Sequence, residues 1–300
     1  TVGYGDYTPV SMGGRFIGIV FVILSLSVYG ILIGQITNFM ATIKQNKKLG
    51  YDGTGFENHT VIIGWNSFGK AVVDQLVGVG KKVAIITNNQ NDVELIRENY
   101  SKSLVYILFS DYTNFDLIRK TNIHLAANVF INLPDDTEKL VYLLNLRKVF
   151  GDLKIVVTLE NSDLKNTFHS AGTTYTISKN EISSKLLASY IFEPDVAEYS
   201  EDIMSYARED DDHDIKEFKV LRSNPYCGKE YEYAFLNLKK NCNSILIGIS
   251  KYEGGARALI KNPSDHVIIN ENDYLIMITD NRSQKLLNKI FQTEEGFLDS

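Results

Sequence analysis

The sequence is poor in cysteine and has no long basic stretch, and each shortage excludes a class of protein. Its 300 residues include only two cysteines, Cys227 and Cys242, which lack the spacing of a metal site and suit a reducing compartment without structural disulfides. The formal net charge is -6 and no basic stripe is present, so we expect no nucleic-acid partner. No nucleophile stands with a base in a recognisable catalytic arrangement, so we expect no enzyme.

The strongest motif begins the chain, and a membrane-length apolar run follows it. Its residues are Thr1, Val2, Gly3, Tyr4 and Gly5. Thr-Val-Gly-Tyr-Gly resembles the selectivity-filter loop of potassium channels, in which backbone carbonyl oxygens replace the water shell of K⁺. The glycines permit the backbone angles that this loop needs. We predict that residues 1–9 form a K⁺ filter, which needs four copies and implies a homotetramer. An ordinary glycine-rich turn is the alternative.

No charged residue interrupts the apolar run from 16 to 43. About 20 residues suffice for a helix to cross the hydrocarbon of a lipid bilayer. Arg15 closes the run at the filter side, while Lys44, Lys47 and Lys48 close the other end, which the positive-inside rule makes cytoplasmic. Residues 10–43 are therefore predicted to form a transmembrane helix. The alternative is the core helix of a soluble protein.

A filter followed by a helix resembles the prokaryotic potassium channels that carry a cytoplasmic RCK domain, and later segments extend the resemblance over the whole chain. The resemblance implies that 10–43 is the pore-lining inner helix, which bends to open the gate. Ser25 stands at the family's hinge position, so Gly30 or Gly34 is an alternative hinge. These two glycines also form a small-xxx-small pair that favours helix packing. An outer transmembrane helix and a pore helix are expected before Thr1, which predicts a multi-pass protein of the cell membrane.

Short apolar strands alternate with helical segments from 59 to 180. This alternation predicts an α/β lobe with a Rossmann-like, doubly wound parallel sheet. The turn after the first strand reads Gly64-x-Asn66-x-x-Gly69, where dinucleotide-binding proteins have G-x-G-x-x-G. Asn66 replaces the glycine that lets the backbone approach a pyrophosphate. Amides, and no acid, directly follow the second strand.

We predict that this cleft binds NAD or an adenine nucleotide. The helix that follows the turn offers backbone N–H groups to an anion. The pair Ser110-Asp111 resembles a Gly-Asp pair that RCK domains place near the adenine. An empty cleft that only supports the fold is the alternative. The candidate residues are Gly64, Asn66, Ser67, Phe68, Gly69, Asn88, Asn89, Ser110, Asp111 and Asn132.

Two places are candidate sites for Ca²⁺ or another divalent cation. Calcium-gated relatives have three carboxylates where this chain has Asn132, Thr158 and Glu160, of which only Glu160 is a carboxylate. We therefore expect that particular site to be absent unless Asp135 and Asp136 supply a variant of it, and the alternative role of these two acids is to stabilise a helix N-terminus. The second place is an acidic run that contains Asp210, Asp212 and His213. Oxygen ligands with a histidine suit Ca²⁺ or a softer metal, while a solvated loop is the alternative.

The remaining segments complete the resemblance. Residues 44–58 are polar and predict a linker, and 181–214 predict two crossover helices followed by the acidic loop. Residues 215–292 resemble the smaller α+β TrkA-C lobe of RCK proteins, and 293–300 form a tail. The resemblance implies RCK–RCK dimers through the crossover helices and an octameric gating ring. Because each of the four chains supplies one RCK domain, the other four domains of that ring must come from additional polypeptides.

The expected function is that of a ligand-gated potassium channel subunit. The filter selects K⁺, the inner helix gates, and ligand binding to the ring moves the helix through the linker. A regulatory nucleotide-binding subunit of a Trk- or Ktr-type transport system is the first alternative, against which the filter motif argues. An NAD-dependent oxidoreductase is the second, and it lacks a catalytic arrangement.

Overall fold

The computed structural model describes residues 4–207, 209–253 and 256–296. Thr1, Val2 and Gly3 of the predicted filter lie outside the described residues, as does Arg208 at the start of the acidic run. The chain divides into two compact units. One contains 1–69, 82–157 and 169–175, and the other contains 70–81, 158–168 and 176–300.

The N-terminal helix α1 extends over Met12–Lys48. Ser11 caps it, because its hydroxyl accepts a hydrogen bond from the Gly14 amide at 3.1 Å. At a rise of 1.5 Å its 37 residues measure about 55 Å. Among the described residues it is the one helix long and apolar enough to cross a membrane.

The predicted boundary between helix and linker at 43/44 is wrong. Helix α1 continues for five more residues, to Lys48. Lysine and glutamine are good helix formers. Lys47 and Lys48 also lie in the last turn, where the helix dipole favours positive charge. The polar composition of this segment therefore marks the end of the membrane span and not the end of the helix.

Six strands form the predicted parallel sheet, in the order β3-β2-β1-β4-β5-β6. They are β1 His59–Ile63, β2 Val83–Thr87, β3 Val105–Phe109, β4 Ala126–Ile131, β5 Ile155–Leu159 and β6 Tyr175–Ser178. Strands β1 to β5 pair in parallel, and their valines and isoleucines are largely buried. The order reverses direction between β1 and β4, so the crevice for a ligand is expected at the carboxyl ends of these two strands.

Five helices connect these strands: α2 Ser67–Gly78, α3 Gln90–Asn99, α4 Phe115–Ile118, α5 Asp136–Phe150 and α6 Lys165–Ser170. Helix α2 begins at Ser67, within the turn that the sequence pattern places at 64–69. The glycine-bearing turn is therefore shorter than the sequence pattern indicates, and its last residues already have helical backbone.

The predicted crossover helices are α7 Lys179–Phe192 and α8 Pro194–Met204. Only Glu193 separates them. Pro194 occupies the first turn of α8, where the amide that proline lacks would have no helical partner. The proline therefore begins the second helix and does not merely interrupt the first.

The C-terminal lobe is the predicted α+β unit. Its elements are β7 His213–Lys219, α9 Tyr231–Cys242, β8 Ile245–Glu253, β9 Ala256–Lys261, β10 Tyr274–Asp280 and α10 Gln284–Phe291. The sheet order is β7-β10-β8-β9 and the pairs are antiparallel. The rings of Phe218 and Phe291 stack in its core with centroids 4.8 Å apart.

A buried ion pair joins β8 to the turn before β10. The Lys251 ammonium lies 2.5 Å from the Asp273 carboxylate and donates a second hydrogen bond to the Ile268 carbonyl at 2.8 Å. The same carboxylate accepts backbone hydrogen bonds from Asn270 and Tyr252. Removing one partner would leave the other charge buried and unpaired, which is costly.

We expect Asp273→Ala to destabilise the C-terminal lobe by roughly 3–5 kcal/mol, because Lys251 keeps its charge without a counterion. Urea unfolding of the purified protein, combined with hydrogen exchange of the β8 and β10 amides, measures the loss. The matched control is Glu271→Ala, which removes an exposed carboxylate two residues away and should change stability by at most about 0.5 kcal/mol. Equal effects of the two variants would contradict this account.

Candidate functional site

Of the five motif residues at the start of the predicted filter, the structure describes Tyr4 and Gly5. Gly5 has a φ of +79°, a backbone conformation that a side chain resists. Tyr4 is exposed in the single chain. The ring of carbonyl oxygens implied by the motif stays a prediction.

The three hinge candidates lie within one continuous helix. The Ser25 hydroxyl donates to the Val22 carbonyl at 2.8 Å, a bond to the preceding turn of the kind that loosens a helix. A Cβ at Gly30 or Gly34 would meet no atom within 4 Å. Both glycines are therefore open for close contact with a second helix.

Asn132 constrains the turn after β1. Gly64 has a φ of +96°, and a Cβ there would lie 2.5 Å from the Asn132 carbonyl oxygen. A Cβ at Gly69 would lie 2.6 Å from the amide nitrogen of the same asparagine. The two glycines that the sequence retains from the dinucleotide-binding pattern are thus required by the approach of β4 to the turn.

The side chain of Asn66 lies in the middle of this turn. Its oxygen accepts hydrogen bonds from the Gly69 backbone amide at 2.8 Å and from the Asn132 side-chain amide at 2.9 Å. That amide also donates to the Gly64 carbonyl at 3.3 Å. We call Gly64, Asn66, Gly69 and Asn132 the amide cluster. It joins the ends of β1 and β4 at the switch point and occupies one N–H group that a phosphate would use.

The other two residues of the turn have separate contacts. Ser67 begins α2, so its backbone belongs to the first helical turn. Phe68 lies edge-on to Phe130 of β4, with ring centroids 6.2 Å apart. The backbone N–H groups of these two residues belong to the helix N-terminus that the predicted anion site would use.

The amides after β2 are engaged in local hydrogen bonds. Asn89 caps α3, because its oxygen accepts from the Asn91 amide at 3.1 Å, and its nitrogen donates to Asp92 at 3.2 Å. The other Asp92 oxygen accepts from the Thr87 hydroxyl at 2.9 Å. Asn88 accepts from the Tyr112 hydroxyl at 3.2 Å. An acid therefore does lie close to the end of β2, although it comes from within α3, which the sequence analysis missed.

Ser110 and Asp111 follow β3 and also bond locally. The buried Ser110 hydroxyl donates to the Asp111 carbonyl at 2.8 Å. The Asp111 carboxylate accepts from the Thr113 backbone amide at 2.8 Å and from its hydroxyl at 2.7 Å. These two bonds hold the pKa of Asp111 below its usual range. The carboxylate is therefore ionised at neutral pH.

The metal candidates are dispersed. Glu160 forms an ion pair with Lys179 at 2.7 Å. Asp210 is exposed, Asp212 accepts from the Glu209 backbone amide at 2.9 Å, and His213 is the first residue of β7. Across 4–207, 209–253 and 256–296, no three His, Cys, Asp or Glu side chains converge as a metal site would require. The metal assignments gain no support from this geometry.

The segment 49–58, which we call the strap, is the part of the predicted linker that follows α1, and it is held against the lobe. Its backbone is bonded to the Rossmann-like lobe: the Leu49 carbonyl accepts from the Phe109 amide, and the Thr54 and Asn58 amides donate to the Lys120 and Leu125 carbonyls, each at 2.9 Å. Leu49 and Gly50 are buried. The strap lies along β3, the edge strand, and covers part of its unpaired backbone.

Two side chains fasten the junction between α1 and the strap. The Arg97 guanidinium donates to the last helical carbonyls of α1, those of Lys47 at 3.1 Å and Lys48 at 2.6 Å. The Tyr106 hydroxyl donates to the Gly50 carbonyl. Burial, together with the nearby Asp52 charge, raises the pKa of Tyr106, so its proton stays in place. Helix α1 is thereby attached to α3 and β3.

Two protein families and several known potassium channels are similar to this chain. Residues 1–42 match the ion channel family and residues 60–179 match the TrkA-N domain family. The chain is 24% identical over 296 residues to the calcium-gated potassium channel TvoK of Thermoplasma volcanium, covering 95% of this chain and 80% of TvoK. The chain belongs with the prokaryotic potassium channels that carry an RCK domain.

Two further matches agree with this family. The probable potassium channel protein 2 of Methanocaldococcus jannaschii is 20% identical over 302 residues, covering 98% of this chain and 86% of that protein. The human SLO3 gating ring has the same fold, with a TM-score of 0.56 and 14% sequence identity. The match covers 81% of this chain and 47% of the SLO3 chain. The chain thus spans about half the length of that gating-ring chain. Its named relatives are channels and not enzymes.

We expect Gly50→Ala to detach the strap. A Cβ at this position would lie 2.1 Å from the Ile107 carbonyl oxygen, and the φ of +84° is itself unfavourable for alanine. Hydrogen exchange of the Phe109 amide, which donates to the strap, should become at least tenfold faster.

Gly55→Ala is the matched control, because a Cβ at Gly55 meets no atom within 4 Å and its φ is not positive. Its Phe109 amide should exchange at the original rate. Unchanged exchange in Gly50→Ala would show that the strap tolerates the extra carbon.

Proposed function

We propose that this chain is the subunit of a tetrameric, ligand-gated potassium channel of the cell membrane. Residues 1–5 of four chains would form the K⁺ filter, and α1 of each chain would line the pore. The observation that carries the proposal is the joining of an ion-channel segment, 1–42, to a TrkA-N domain, 60–179, through one unbroken helix and a docked strap. The full-length protein is proposed to be multi-pass, with its RCK domain in the cytoplasm.

The strap and Arg97 provide a mechanical route from lobe to gate. Because the end of α1 is bonded to α3 and the strap to β3, a displacement of these elements has to move the helix as well. A ligand opens or closes the gate only through its different affinity for the two states. Four subunits act on one pore, so a per-site preference of about tenfold becomes roughly 10⁴-fold for the whole channel, enough to invert a gating equilibrium.

The crossover helices are the proposed dimer surface. Helices α7 and α8 present an apolar surface in the single chain. Its exposed members include Ile182, Leu187, Ile191, Phe192 and Val196. Pairing of RCK domains through this surface, and closure of four pairs into an octameric ring, would cover it. The additional four domains would be separate RCK polypeptides.

The amide cluster and the groups after β2 are the proposed nucleotide site. The turn keeps both glycines that a dinucleotide-binding loop needs, but Asn66 holds the Gly69 amide. Phosphates of NAD or an adenine nucleotide would have to displace the Asn66 side chain to reach that amide. Asn88 and Asp92, near the end of β2, would face the ribose. Ca²⁺ is a second candidate ligand only because one relative, TvoK, is named calcium-gated.

The channel assignment predicts selective K⁺ transport. Full-length protein reconstituted in liposomes should support K⁺ flux, because the filter carbonyls replace the hydration shell of K⁺, and Na⁺ flux should be far smaller. Gly3→Ala should abolish the selectivity, while Gly13→Ala, in the first turn of α1 where a Cβ meets no atom within 4 Å, should preserve it. Equal K⁺ and Na⁺ flux in the unmodified protein would refute the assignment.

The nucleotide assignment predicts opposite effects of two substitutions. Asn66→Gly frees the Gly69 amide and should tighten nucleotide binding several-fold. Gly69→Asp should abolish binding, because its Cβ would lie 2.6 Å from the Asn132 side-chain amide and its carboxylate would face the phosphates. Loss of the cap to glycine costs only a few tenths of a kcal/mol. Isothermal titration of the purified channel with NAD⁺, NADH, ADP and ATP measures both effects.

Gly80→Asp is the control for the added charge, since a Cβ there meets no atom within 4 Å and the residue lies outside the cleft. Its positive φ is tolerated by aspartate better than by most residues. Nucleotide binding that survives Gly69→Asp would show that the nucleotide binds outside this cleft. If none of the four nucleotides gives a binding signal in the titration, the cleft only supports the fold.

A further inference from the structure

A cavity of about 690 Å³ lies where α1 meets the Rossmann-like lobe. Its wall comes from the last turns of α1, the strap, the end of α3 and the first half of β3. Five cationic residues contribute to the wall: Lys44, Lys47, Lys48, Arg97 and Lys102. Phe56, Tyr100 and Val105 contribute apolar surface. The cavity is separate from the amide cluster.

Most of the positive charge in this cavity is not neutralised by the protein. Lys48 forms an ion pair with Glu94, whereas Arg97 bonds only to neutral carbonyl oxygens. In the described part of the chain, the ammonium groups of Lys44, Lys47 and Lys102 have no ion-pair or hydrogen-bond partner.

The acids of the wall are fewer than the cations. Asp52 and Glu98 are its two carboxylates, against five positive groups. A cavity with a net positive charge next to apolar surface favours a ligand that carries an anionic group and a hydrophobic part.

The position along α1 identifies the source of such a ligand, given the proposed membrane function on which this inference rests. The uncharged run from 16 to 43 is about 42 Å long, which exceeds the roughly 30 Å of bilayer hydrocarbon. Lys44 is the first charged residue after that run. Lys44, Lys47 and Lys48 therefore lie at the level of the headgroups of the cytoplasmic leaflet.

We propose that this cavity binds the phosphate headgroup of an anionic phospholipid of the cytoplasmic leaflet. Lys44 and Lys47 from the inner helix, with Lys102 from the lobe, contact the phosphate, and the apolar wall receives the glycerol backbone and the start of the acyl chains. The lipid bridges α1 and the lobe at the junction that Arg97 fastens. Its binding therefore changes the gating equilibrium in addition to holding the lobe near the membrane.

The test compares the purified full-length protein with the triple variant K44Q/K47Q/K102Q. Native mass spectrometry measures how much phosphatidylglycerol and phosphatidylcholine each retains, and K⁺ flux is measured in vesicles with and without phosphatidylglycerol. Near an anionic surface each lysine contributes roughly a fivefold factor in binding. The variant is therefore expected to retain phosphatidylglycerol about a hundredfold more weakly. K240Q/K285Q/K289Q, which removes three exposed lysines of the C-terminal lobe, is the matched control and should behave as the unmodified protein.

The expected result is preferential retention of phosphatidylglycerol, a change of K⁺ flux when this lipid is present, and loss of both in the triple variant alone. Equal loss in the control variant, or equal retention of the two lipids, overturns the proposal. Displacement of the lipid by millimolar inorganic phosphate would show a site for a soluble anion and would also overturn it. Absence of K⁺ flux in every vesicle would refute the channel function, while lipid retention would still decide the lipid site.

Discussion

The central interaction of the junction between α1 and the lobe is the hydrogen bonding of the Arg97 guanidinium to the carbonyls of Lys47 and Lys48. The last carbonyls of a helix have no partner within it and carry the negative end of its dipole. A charged donor placed there satisfies two of them and opposes fraying of the last turn. Because Arg97 lies on α3, the end of α1 is attached to the lobe through carbonyl groups that have no hydrogen-bond partner within the helix itself. The strap then continues the attachment along β3.

The same principle, satisfaction of backbone groups by side chains, shapes the candidate nucleotide cleft. At the switch point, Asn66 takes the role of a helix cap and Asn132 links it to β4. Thr87, Asn89 and Asp92 form a second self-bonded group beside it. A ligand that enters has to replace these bonds with bonds of its own, so only the surplus contributes to affinity. This favours a ligand with several charged oxygens, which form stronger hydrogen bonds than amides do.

Local patterns were sufficient to predict much of the fold. Buried Val- and Ile-rich strands alternating with helices indicated the parallel sheet, and the uncharged run from 16 to 43 indicated α1. The missed features depend on contacts between residues far apart in sequence. Arg97 lies 49 residues from Lys48, and Asn132 lies 66 residues from Asn66, so neither pairing follows from spacing. Pro194 differs, because its preference for a first helical turn is a local rule that would have placed the start of α8.

The predicted linker is held against the lobe along 49–58, and this attachment bears on function. Its composition, polar and rich in glycine, is typical of a flexible tether, and a tether of this length would dissipate any small displacement of the lobe. The glycines serve the opposite purpose at Gly50, where the absence of a side chain lets the chain lie against the Ile107 carbonyl. Closely packed groups do not shift gradually but change between discrete packings. The junction between α1 and the lobe therefore has only a few stable conformations. A ligand in the cleft and a lipid at the junction would thus act on the same small set of states, and each would alter the binding of the other by an equal factor.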